Sequence, residues 1–207
     1  MVKMFDSGIS VKEIIEELNE EVDIALPIPN KTYVTWLNSL QRLLYTEIIK
    51  EQNKIEEYCN NSNITINLSG LKVRSGEDVI RFEDIHAIYV GDTQLIKSTV
   101  ASGMIFPNSF YKFYDQLAIN IDKTPVRISI VYISKPALVT VTDTDEINDA
   151  NVMLPVEFID LVKAKLRGEA YKLANEDDVA AKWLNDYNTL LETFKVWITD
   201  KSPNLGI

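Results

Sequence analysis

The sequence predicts an α+β protein: a helical bundle formed by the N- and C-terminal helices, with an antiparallel β-sheet lobe inserted between them. Three observations predict it. Apolar residues recur at helical spacing near both ends of the chain, and they alternate in the middle third. The rhythm changes where Asn, Ser and Gly accumulate, beginning at Asn60. These changes assign residues 1–62 and 150–207 to the bundle and 63–149 to the β lobe.

Ser10-Val11-Lys12-Glu13 has the spacing of a capping box, so a short helix is expected from about Val11 to Asn19. After Pro27-Ile28-Pro29, Asn30 can cap a second helix. Its stripe, Tyr33, Leu37, Leu40, Leu44 and Ile48, carries it to Glu51 or, at its longest, to Tyr58. Trp36 and Leu43 widen that stripe.

Alternation at Ile64, Ile66 and Leu68 starts the strands. Asp84–Val90, a Gly91-Asp92 break and Thr93–Ile96 read as a tight hairpin. Phe110–Tyr114, Gln116–Ile121 and Val126–Tyr132 follow, giving a meandering antiparallel sheet of five to seven short strands. In the last third, Ile159, Val162, Leu166, Ala170 and Leu173 form one stripe, and Ala180, Trp183, Tyr187, Leu191, Phe194 and Ile198 form another. Asn175-Glu176-Asp177-Asp178 joins them as a polar break able to end one helix and cap the next, so the pair is expected to be antiparallel.

The net charge of −10 opposes nonspecific binding to phosphate backbones, which is driven by Lys and Arg. No apolar run approaches the roughly 20 residues needed to span a bilayer, and the first residues lack the pattern of a cleaved export signal. The expectation is a protein that neither enters a membrane nor leaves by a signal-peptide route. The single cysteine, Cys59, excludes an intrachain disulfide and fits a reducing compartment.

Candidate chemistry is sparse. His86 is the only histidine, placed mid-strand with no serine or cysteine nucleophile beside it in sequence. Asp143, Asp145, Glu146 and Asp149 invite a calcium reading, but the loop lacks the glycine and terminal glutamate of an EF-hand, and a solvated loop is the plainer reading. The seven glycines form no phosphate-binding motif. No catalytic, cofactor or metal residue is therefore assigned, and a structural protein is expected in place of an enzyme.

The stretch from SFYKFYDQLAINI through RISIVYISKPALV and the acidic linker to LPVEFIDLVKAKLRGEAYKLANEDDVAAKWLNDYNTLLETFKVW resembles the C-terminal half of tailed-phage head-to-tail adaptor proteins, the tail tubular protein A type among them. TYVTWLNSLQRLLYTEI is similar to their N-terminal helix. The two regions cover over half the chain, by soft apolar patterns in a matching order; residues 60–104 match no family segment.

The resemblance implies a non-enzymatic virion subunit, assembled in the host cytoplasm. It would form a ring, usually twelvefold, between the portal protein and the tail tube or nozzle. DNA would pass through without specific binding, and no cofactor is implied. In such a ring Trp197, Leu205 and Ile207 are expected to contact the portal, and Met104, Ile105 and Phe106 the tail or a neighbouring subunit. Glu16, Glu17, Glu20 and Glu21 are expected to repel DNA in the channel. The competing readings are a non-catalytic protein-binding module with the same helical frame and no ring, and an enzyme with an unrecognised carboxylate site.

Overall fold

The computed structural model describes residues 6–24, 27–73, 77–98, 106–114, 116–122 and 126–201. The fold class is α+β. Two compact units make up the chain: Met1–Ile49 with Leu138–Ile207, and Lys50–Ala137. The sequence placed these boundaries at 62/63 and 149/150; the units divide earlier at both ends.

In the first unit, α1 (Val11–Glu21) starts where Ser10 Oγ accepts the N–H of Lys12, one residue earlier than a capping box places that bond. It buries Val11, Ile14, Ile15 and Leu18 on one face. Helix α2 (Asn30–Leu43) buries Tyr33, Val34, Leu37, Leu40 and Gln41. It gives way to a π-helical turn, Leu44–Ile49, and stops at Lys50, whose φ of 48° lies in the left-handed region. The expected continuation toward Tyr58 is therefore wrong. Residues Gln52–Cys59 form strand β1.

Helix α3 (Ile159–Leu173) and helix α4 (Asp177–Lys201) form the expected hairpin. Asn175, at φ 61°, ends α3: its N–H bonds to Lys172 O, and that of Glu176 reaches Tyr171 O, the paired bonds of a Schellman turn. The α3 stripe is buried except at Leu173, which is 57% exposed. The helices approach closely at Gly168, where a Cβ would lie 2.7 Å from Leu184 Cδ2. A side chain there would hold α4 off, which is why a poor helix former is tolerated mid-helix.

One core joins both ends of the chain within this unit, from Ile14 and Leu18 through Tyr33, Leu37 and Tyr45 to Leu161, Leu166 and Phe194. Polar bonds fix its seams. Glu17 accepts from Lys163 Nζ at 2.6 Å, and Glu21 pairs with Arg167. Asn38 exchanges two bonds with the backbone of Val139, and Gln41 Oε1 accepts the N–H of Met153. The two bonds to Val139 tie the start of the linker to this unit and not to the β lobe.

Among the described residues, the second unit holds two four-stranded sheets where one meander was expected. One has the order β1-β8-β3-β4, with β8 at Val126–Ile133, β3 at Ile85–Val90 and β4 at Thr93–Gln94. The other has the order β2-β7-β6-β5, with β2 at Asn63–Asn67, β7 at Gln116–Asn120, β6 at Ser109–Phe113 and β5 at Ile96–Lys97. All pairings are antiparallel except β5 with β6. Gly91 (φ 57°) opens the expected β3–β4 turn. Ile88, Phe110, Leu117, Ile119, Ile128 and Ile130 form the centre of the core.

Candidate functional site

The acidic loop has a structural task. Asp145 accepts the N–H groups of Asn30 and Lys31 at 2.8 and 2.9 Å, and its own carbonyl accepts from Asn30 Nδ2 at 2.7 Å. A carboxylate from a distant loop thus caps α2, where donors are orphaned and the helix dipole favours negative charge. Asp145 holds φ at 64° to do so. Among the described residues no group of three or more His, Cys, Asp or Glu could hold a metal ion.

His86 lies exposed on β3, at an irregularity in the pairing with β8 between Ile85 and Ala87. Cys59 is buried at the end of β1, where desolvation and then the negative charge of Glu57 push its thiol pKa up. That environment suppresses the thiolate a nucleophile needs.

Of the five α1 glutamates, the four singled out from the sequence divide. Glu17 and Glu21 are paired with Lys163 and Arg167 of α3. Glu16 lies 3.8 Å from Lys12 in an exposed pair, and Glu20 is exposed. Glu16 and Glu20 thus face solvent, as does Glu13 in the first turn of α1. Trp197 is half-buried, its ring 5.3 Å from that of Phe158 and stacked on Phe194, so much of it is committed to the fold. Leu205 and Ile207 lie outside the described residues, as do Met104 and Ile105. Phe106 is exposed, while its carbonyl is held by Ser109 Oγ and Asn120 Nδ2.

The structure adds features the sequence did not single out. A trough of about 500 Å³ beside the α3–α4 hairpin is lined by Asp160, Ala164, Arg167, Trp183, Asp186 and Leu190. The Arg167 guanidinium stacks over the Trp183 ring, 4.7 Å from its centroid. At the other end of the hairpin, a depression of about 450 Å³ is lined by the apolar Ile24, Pro27, Ile28 and Leu173 together with the polar Asn175 and Glu176. In the β unit, Glu77 accepts from Asn53 Nδ2 (2.6 Å), Ser134 Oγ (2.9 Å) and Tyr132 OH (2.6 Å), all buried. Heptad spacing of Trp183, Leu190 and Trp197 could have signalled that α4 carries more apolar surface than α3 alone covers.

No protein-family model matches the chain, and no curated protein matches its sequence. No helix among the described residues is long and apolar enough to cross a membrane.

Proposed function

We propose that this protein is a non-enzymatic head-to-tail adaptor: a virion subunit that joins a ring between portal and tail, around the channel through which DNA leaves. The observation that carries the reading is the discontinuous helical unit, built from both ends of the chain and closed by the α3–α4 hairpin, with a β unit between them. That order is the one on which the resemblance rests. A ring repeats one heterologous contact around an axis, so a modest contact per subunit suffices. The exposed Phe106 supports a contact of the β unit with the tail or a neighbour, and the exposed Glu16 and Glu20 support a surface that lets DNA pass.

The test is to mix the protein with the portal ring encoded in the same genome and image the product by negative-stain electron microscopy. An added layer with the portal's rotational order is expected. Portal rings unchanged by excess protein would overturn the adaptor reading, and saturable binding without an ordered layer would favour the binding module.

A further inference from the structure

Strand β1 ends its sheet: among the described residues its strand neighbour is β8 alone. Its other edge runs the length of Gln52–Cys59, and the parity of the ladder tells what that edge presents. The N–H of Ser134 bonds to the carbonyl of Glu51 at 2.8 Å, one step before the Gln52–Ile133 pair, so Glu51 and Ser134 are a hydrogen-bonded pair. Such pairs alternate along an antiparallel ladder. Asn53, Ile55, Glu57 and Cys59 therefore turn their backbone groups to β8, and Gln52, Lys54, Glu56 and Tyr58 turn theirs to the open edge. The side chains of these last four are exposed.

An open edge of this length is a template for another strand, and charged side chains commonly close such an edge to other chains. Here the charges select one partner. Only a register that brings outward groups face to face can form the ladder, so a second copy of β1 must be centred on a residue that keeps this parity. Centred on Lys54, the pair sets lysine against lysine, and centred on Glu56 it sets glutamate against glutamate, both of them unfavourable. Centred on Ile55, it sets Lys54 against the second copy's Glu56, Glu56 against its Lys54, and Gln52 against Tyr58 at both ends. Opposite charges then meet twice and like charges not at all.

We propose that the open edge of β1 pairs antiparallel with the same edge of a second copy, centred on Ile55, joining the two sheets into one across a twofold axis. Glu56 lies 2.9 Å from Lys54 and 3.2 Å from Arg127 of its own chain, and the second copy's Lys54 gives each Glu56 a third cation. The contact is isologous and closes with two copies, so it cannot build a ring. It is a state of the free protein and does not rest on the adaptor reading.

The test is sedimentation equilibrium on the wild type, Lys54→Glu and Glu56→Lys, up to about 100 μM because a contact of this size is weak. Both positions are exposed, so folding is not at stake. The wild type is expected to dimerise. Each variant alone sets like charges opposite at two places and should dimerise about tenfold more weakly. General charge acts the other way for Glu56→Lys, which lowers the net charge of −10, so its weakening reports the register. An equimolar mixture of the two variants sets opposite charges at both places and should recover dimers of wild-type strength. A wild type that stays monomeric, single variants that dimerise as the wild type does, or a mixture no stronger than the variants apart would each overturn the inference.

Discussion

Gly168→Ala separates two opposed effects. Intrinsic propensity favours alanine over glycine inside a helix by about 1 kcal/mol. The new Cβ, however, would sit 2.7 Å from Leu184 Cδ2, 2.8 Å from Cγ and 3.4 Å from the Leu184 backbone nitrogen. Reaching ordinary contact requires a displacement of about 0.7 Å, by a change of the Leu184 rotamer or a shift of α4. Overpacking of this kind costs about 1–3 kcal/mol, so Gly168→Ala should lose about 1 kcal/mol net. In a Leu184→Ala background the obstruction is gone and the same change should gain about 1 kcal/mol. The expected coupling is therefore about 2 kcal/mol, within the range for residues in contact. Urea unfolding followed by tryptophan fluorescence measures it, because Trp36, Trp183 and Trp197 all lie in the helical unit and report that unit alone. If Gly168→Ala stabilises by the full propensity increment with Leu184 intact, the close-approach argument is refuted.

Asp145→Ala should destabilise the helical unit by about 1 kcal/mol through the lost α2 cap, with Asp145→Asn closer to wild type; the same fluorescence assay checks both. Glu77→Ala strands the buried donors of Asn53, Ser134 and Tyr132 and should cost the β unit about 3 kcal/mol. Hydrogen exchange at β1 and β8 would show it, and unchanged protection there would sink the hub role of Glu77. Burial raises the pKa values of Cys59, Tyr33 and Tyr187. Raised folded values mean that their contribution is intact below the unfolded pKa and lost as pH rises, starting above about pH 8.5 with the thiol. Stability should fall on the alkaline side, less so in Cys59→Ala, and the thiol should react with an alkylating reagent far more slowly folded than unfolded.

The bundle was legible where a stripe maps onto one buried face. Tyr33, Leu37 and Leu40 on α2, Leu44 at the start of the π-helical turn, and Ala180, Tyr187 and Phe194 on α4 are buried as their spacing predicts. Leu173 fits its stripe equally well and is exposed, because periodicity records which face a residue is on and not whether anything covers it. Residues 52–59 were misread since Ile48 extends the α2 stripe and no Gly or Pro marks the stop; the break is a π-helical turn and a left-handed Lys50, which many sequences can adopt. The division into two sheets depends on which strands meet across long loops, and alternation carries no information about partners. The acidic loop showed its carboxylates but not that Asp145 would find the start of α2, a contact between residues 115 positions apart.

That discontinuity bears on how the chain is made. Residues 50–137 are contiguous and can fold as soon as they leave the ribosome, whereas α1 and α2 must wait for α3 and α4. At 5–20 residues per second the wait is about 8–30 s. During that interval Ile14, Leu18, Leu37 and Leu40 have no partner helices, so the nascent N-terminal segment is the stretch most in need of protection from aggregation.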